Sequence, residues 1–201
     1  MDLPEDLELP LERGAPWWYW LGGRVALDFV NTRRERWWRN VETLVTPDDL
    51  AEWVVRAKLV PDPPLVDDRL LEAARELREA INAAVVAVTE PAEQPVRALA
   101  VIERWLPEAL LADRLSADPG GPAVLTAGAP KNAGRYALAL VARDAAEMLG
   151  TEQRKRVRVC ASETCSARFY DRSRAGGRRW CSMQGCGNVA KARRHRARQA
   201  R

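Results

Sequence analysis

Two hundred and one residues with 47% hydrophobic content suit one large domain, or a medium domain with a small module, and are too apolar for a disordered chain. The net charge of +4 conceals a division: residues 1–150 carry 17 Lys and Arg against 25 Asp and Glu, a balance of −8, whereas residues 151–201 carry 15 against 3, a balance of +12. An acidic body with a basic arm points to a polyanionic partner, and with neither a secretory signal nor an apolar run long enough to span a membrane, a cytoplasmic, membrane-free protein is expected.

Residues 1–16 hold three Pro and five acids without a period and read as a flexible lead-in. The cluster Trp17-Trp18-Tyr19-Trp20 opens the ordered body. The run Val25-Ala26-Leu27-Asp28-Phe29-Val30-Asn31-Thr32 is short, apolar and β-branched, so strand and buried helix both fit, and helix is the reading adopted. Asp28 and Asn31 are polar inside it. Either they line a small-molecule pocket with Trp17, Trp20 and Trp53, which would make the body an effector sensor, or they are hydrogen-bonded within the fold, the reading preferred. In Arg33-Arg34-Glu35-Arg36-Trp37-Trp38-Arg39, cations and aromatics interleave as on a nucleic-acid surface. Burial of Trp37 and Trp38, with the arginines in water, is preferred.

Thr46-Pro47-Asp48-Asp49 combines a capping hydroxyl, a first-turn proline and an acid three residues after the cap, which predicts a helix over 47–59. Leu70, Leu71, Ala74, Leu77, Ile81, Ala84, Val85 and Val88 recur at three- and four-residue steps, one face of a long amphipathic helix. Pro91 and Pro95 break it, and a further helix is expected from 96 to about 112. The Gly- and Pro-rich stretch 115–135 is a β-hairpin or a loop, and 136–149 is a helix closed by Gly150. The expected fold is therefore mainly α: a helical body over 17–150 with at most a small hairpin, a linker at 151–156, and a second module over 157–201.

That module contains every cysteine: Cys160 and Cys165, then fifteen residues, then Cys181 and Cys186. Two cysteine pairs with such a spacer let two turns face each other around one tetrahedral ion. Zinc suits four thiolates in a reducing compartment; two disulfides and an iron–sulfur cluster are the rivals. With four protein ligands the zinc is structural, and the sparse apolar surface around Val157, Phe169, Tyr170 and Trp180 makes metal binding part of folding. Gly185 and Gly187 allow a tight backbone around Cys186.

Cys160 and Cys165, Phe169-Tyr170-Asp171-Arg172-Ser173-Arg174, Arg178-Arg179-Trp180-Cys181-Ser182-Met183, Cys186-Gly187-Asn188 and Ala190-Lys191-Ala192-Arg193-Arg194-His195-Arg196 resemble the CGNR zinc finger family. In that family the module follows a mostly helical ABATE domain, whose early signature resembles Leu27-Asp28-Phe29-Val30-Asn31-Thr32. The resemblance covers residues 17–201 and implies stress-linked transcription regulation with nucleic acid as partner. The chain departs from the pattern at Val189, where the family has Arg, which removes one cation from the implied contact surface.

The basic arm supplies the expected contacts. Lys191, Arg193, Arg194, Arg196 and Arg198 on a C-terminal helix would meet phosphates, with Lys191, Arg194, Arg198 and Arg201 on one stripe, and Arg172 and Arg174 precede them on the finger loop. Arg178, Arg179 and Asn188 are the candidates for reading bases, and Trp180 either stacks on a base or, as preferred, packs over the metal. DNA stands ahead of RNA as the expected polymer, and a homodimer is a candidate assembly. The alternative is a zinc-stabilised adaptor whose arm binds an acidic protein or its own acidic body. No nucleophile elbow, phosphate loop or dinucleotide fingerprint occurs, and the single histidine, His195, lies in the basic helix, so no enzyme is expected.

Overall fold

In the computed structural model, which describes residues 18–90, 92–117 and 119–199, the run after Gly23 forms a helix, α1 (Val25–Val30), that buries Ala26, Leu27, Phe29 and Val30. The expectations for residues 1–16, Trp17, Pro91 and Arg201 lie outside the described residues. Six residues cannot sustain a helix in water, so tertiary anchors hold α1. Asp28 accepts the Gly22 amide at 2.7 Å, and Asp144 accepts the Ala26 amide at 2.9 Å while pairing with Arg24 at 2.8 Å. Position 22 must be glycine, because a Cβ there would lie 2.7 Å from the Asp28 nitrogen.

Strands β1 (Arg33–Arg34) and β2 (Val41–Glu42) pair antiparallel, Arg33 with Glu42 and Arg34 with Val41. The capping box is present at α2 (Pro47–Arg56): the Asp49 amide donates to the Thr46 hydroxyl at 3.3 Å and the Thr46 amide to the Asp49 carboxylate at 2.7 Å. α2 ends before residue 59 because Lys58 adopts a left-handed φ of 59°. The long amphipathic helix is α3 (Asp68–Thr89), capped by Asp67. The next helix, α4 (Val96–Trp105), is shorter than the expected 96–112. Pro107 has no N–H to continue the ladder, and a 3-10 turn over Leu106–Ala109 follows. The Gly- and Pro-rich stretch does contain a hairpin, β3 (Arg114–Ser116) against β4 (Val124–Thr126), exposed along its length.

α5 (Ala133–Gly150), capped by Asn132, buries Ala137, Leu138, Val141, Ala142, Ala145 and Met148, and this face of small residues lets α1, α3 and α4 pack closely on it. Phe29, Trp53, Leu77, Ile81, Leu138 and Met148 are fully buried in the resulting core, each burial contributing roughly 1.5–3 kcal/mol. Arg78 is drawn into the same core at 1% exposure, where Glu42 of β2 grips it with two bonds of 2.6 and 2.5 Å. Burial opposes charge on Glu42, yet the Arg78 bonds hold its carboxyl below the usual range.

Residues 151–156, expected as a linker, contain a 3-10 turn (Glu152–Arg156) packed on α5 that runs directly into β5 (Val157–Val159). β5 pairs antiparallel with β6 (Arg168–Tyr170), Val157 opposite Tyr170 and Val159 opposite Arg168. The described chain closes with α6 (Asn188–Gln199). The architecture is the one the sequence implied, a mainly helical body and a four-cysteine module ending in a basic helix, except that the body holds two small antiparallel pairs, β1–β2 and β3–β4, where at most one hairpin was expected. Among the described residues no helix is long and apolar enough to cross a membrane.

Candidate functional site

The β5–β6 ribbon and two turns bring the cysteines together. Cys160 extends the ribbon by donating its amide to the Ala167 carbonyl at 2.9 Å, and Cys165 sits on a turn closed by its own amide to the Ser162 carbonyl at 3.1 Å. The second pair is drawn in by the Ala161 amide on the Arg179 carbonyl at 2.8 Å. Cys186 lies in a π-type turn, Met183–Gly187, capped by the Ser182 hydroxyl, which accepts the Gly185 amide at 3.1 Å. Neither Gly185 nor Gly187 has a positive φ; at Gly187 a Cβ would meet the Met183 sulfur at 3.1 Å, so that side chain would have to shift by a few tenths of an ångström.

All four Sγ atoms lie within 4.8 Å of one another, with Cys181 3.8 Å from both Cys165 and Cys186. These are free cysteines, not disulfides, whose sulfurs would stand about 2.05 Å apart. Four sulfurs each about 2.3 Å from one tetrahedral ion would be about 3.8 Å apart, so the cluster fits a single zinc. The four sulfurs ionise as a linked set: contact with the Cys160 sulfur pushes the Cys165 and Cys181 thiols up while their neighbours pull the Cys160 and Cys186 thiols down, and a bound dication would favour the thiolate at all four. Beneath them Phe169 is fully buried, with Leu21, Ala167 and Trp180 around it; Trp180 thus packs in the metal-site cluster, as preferred from sequence.

The metal module is bolted to the body through backbone groups. Asn31 both accepts the Arg168 amide at 2.8 Å and donates to the Arg168 carbonyl at 2.9 Å, taking the place of a third strand beside β6. The Tyr170 amide donates to the Gly22 carbonyl at 2.7 Å, the Arg36 amide to the Ser166 hydroxyl at 3.0 Å, and the Arg172 guanidinium to the Gly23 carbonyl. Asp28 and Asn31 therefore follow the preferred reading of hydrogen-bonded internal residues. Burial pushes the Asp28 carboxyl up to about 6, and the nearby Asp144 charge adds to the shift. Trp53 is wholly buried between Trp20 and Phe29. Two cavities lie elsewhere: one of about 570 Å³ is walled by Val88, Leu99, Ile102, Leu106 and Leu149, and one of about 460 Å³ by the charged residues around Arg75 and Glu79.

The candidate contact residues divide. Lys191, Arg193, Arg196 and Arg198 are exposed on α6, with Asn188 and Val189 exposed at its start. Arg194's side chain lies outside the described residues. Among the described residues α6 makes one ion pair, Arg193 to Glu163 at 3.0 Å, within its own module, and none with the acidic body. Arg174 and Arg179 are exposed on the finger loop, the latter over the Trp180 ring. Arg178 turns inward instead. It lies 5.0 Å from the Phe169 ring centre and donates to the Cys181 carbonyl at 2.6 Å, which fixes the second cysteine pair.

The preferred reading of Arg33–Arg39 is reversed. Trp37 and Trp38 are 50% and 57% exposed, whereas the Arg36 side chain is sunk against the body, pairing with Glu79 at 2.6 Å and donating to the Val30 carbonyl at 3.0 Å. The tight connection explains it: Glu35 and Asn40 both take left-handed φ values, and Arg39 folds back on Glu35 at 2.6 Å, which turns the tryptophans outward. Two residues of the site take structural parts that residue type alone does not assign. Asp171, fully buried, accepts the Ser173 amide at 2.9 Å and the Arg178 amide at 2.8 Å, and the Asp-x-Ser spacing is the signal of such a turn. Arg168, only 4% exposed, lies 5.4 Å from the Trp37 ring centre, and burial pulls it down to about 10, with the Arg36 charge adding.

Comparison with known proteins agrees with this geometry. Residues 23–152 match the ABATE family, described as "Putative stress-induced transcription regulator", and residues 156–199 match the CGNR zinc finger. No curated protein matches the chain. The match to a zinc finger and the clustering of its four cysteines together support one structural zinc ion. The chain belongs to the ABATE family and carries a CGNR zinc finger.

Proposed function

We propose that this protein is a nucleic-acid-binding transcription regulator that grips phosphates with the zinc module, chiefly through Lys191, Arg193, Arg196 and Arg198, with DNA ahead of RNA as its polymer. The observation that carries the reading is the electrostatic independence of α6: its described cations face solvent and none pairs with the acidic body 18–150. A cationic helix tethered at its N-terminus by a metal centre holds its charges in fixed relative positions, which favours multiple phosphate contacts. Zinc supplies structure here, because four thiolates leave no coordination position for an activated water. Arg174 and Arg179 extend the cationic face onto the finger loop together with the exposed Arg172, which also donates to the Gly23 carbonyl, while Arg178 acts within the protein.

The test is fluorescence anisotropy of zinc-loaded full-length protein with duplex DNA and with single-stranded DNA and RNA over a salt series. Affinity is expected to fall steeply with salt, and Lys191→Ala with Arg198→Ala to flatten the logarithmic slope by about 0.9 per lost duplex contact. Absence of binding to every nucleic-acid probe at low salt, with binding to poly-L-glutamate, would replace this reading with the adaptor whose arm meets an acidic protein.

A further inference from the structure

We infer that Trp37 and Trp38 form a stacking platform for unpaired nucleotides, so that the body and the zinc module together make a single-strand-binding face. This rests on the nucleic-acid reading and specifies which form of the polymer fits. Two adjacent tryptophans, each at least half exposed on a tip held rigid by the Glu35–Arg39 pair, are an uncommon arrangement in water. Cations sit against both rings: the Arg39 guanidinium lies 4.7 Å from the Trp38 ring centre and that of Arg168 lies 5.4 Å from the Trp37 ring centre. Arg39 is neutralised by Glu35, but among the described residues Arg168 has no carboxylate within ion-pair distance, which leaves a positive charge behind the platform.

The platform is continuous with the phosphate-binding helix. The Trp37 indole N–H donates to the Glu163 carbonyl at 2.9 Å, and the carboxylate of the same Glu163 holds Arg193 of α6 at 3.0 Å. One residue of the cysteine turn thus joins the aromatic tip to the basic helix. A strand whose phosphates lie along α6 has its bases within reach of the tip only if they are unpaired, since stacking on an indole needs an open base face. Duplex DNA offers no such face except at its ends.

Single-stranded DNA and RNA present the same bases and are separated by the probes. Trp38 carries the test, because among the described residues its ring meets the Arg39 guanidinium, whereas the Trp37 ring also secures the Glu163 turn. Trp38→Ala is expected to weaken binding to a single-stranded oligonucleotide about 5- to 150-fold, to leave its salt slope unchanged, and to alter duplex affinity by less than about two-fold; Trp38→Phe should recover most of the loss. Zinc content and thermal melting establish that each variant is folded. Wild-type binding that Trp38→Ala and Trp37→Ala both leave within about two-fold would overturn the platform and leave the phosphate reading standing. Wild-type preference for duplex would do the same. Absence of all binding would overturn both.

Discussion

Asn31→Ala is the substitution whose consequence follows most directly from the geometry. The side chain is 8% exposed and satisfies both backbone groups of Arg168, itself 4% exposed, so truncation leaves a buried N–H and a buried carbonyl without partners. Each such orphan costs about 1–3 kcal/mol, giving a loss of roughly 2–6 kcal/mol, or about 4–24 °C in melting temperature for a domain of this size. Urea and thermal unfolding of zinc-loaded protein, followed by circular dichroism, measure it. Asn31→Asp sharpens the test. It keeps the acceptor for the Arg168 amide but sets a second carboxylate oxygen against the Arg168 carbonyl, which raises that carboxyl's pKa in the folded state. The variant should therefore be weakest at neutral pH and regain stability as the pH falls and the group protonates. A residue lining a ligand pocket would behave differently, losing ligand affinity while stability stayed put. Asn31→Ala within about 0.5 kcal/mol of wild type would refute the clamp.

Two further outcomes are expected. The Asp28 carboxyl, raised from 3.8 to about 6 by burial, favours the folded state when protonated, so its contribution is complete below about pH 4 and lost as the pH rises through about 6. Asp28→Asn, which can still accept the Gly22 amide, should remove that decline; urea titrations at several pH values are expected to show the variant gaining roughly 1–3 kcal/mol on wild type between pH 4 and 7, and parallel profiles would contradict the assignment. Metal analysis should find one zinc per chain, and chelation should abolish hydrogen-exchange protection in β5, β6 and the cysteine turns while α3 and α5 keep theirs. A native protein with no metal, or with two disulfides, would contradict the metal centre.

Much of this protein was legible because the relevant physics is local. The Thr46–Asp49 capping box, the three- and four-residue spacing along α3 and the Cys160–Cys165 and Cys181–Cys186 pairs all act within a turn or a short loop, so their residue types report their geometry directly. The stop of α4 at Trp105 was legible in principle from Pro107, whose missing N–H is equally local. The site's remaining features are non-local. Asn31 acts as a clamp only because the fold brings it against Arg168, 137 residues away, and Arg178 turns inward only because Phe169 and the Cys181 carbonyl wait there. The exchange of Arg36 for Trp37 and Trp38 shows the same principle most clearly. Hydrophobicity alone favours burying the indoles, but Glu79 on α3 and the carbonyl of Val30 stand where Arg36 can satisfy its guanidinium, and the backbone turn then leaves the tryptophans no route inward. Residue type sets what a side chain can pair with; the tertiary structure decides which partners are within reach, and that choice put the aromatic tip beside the basic helix.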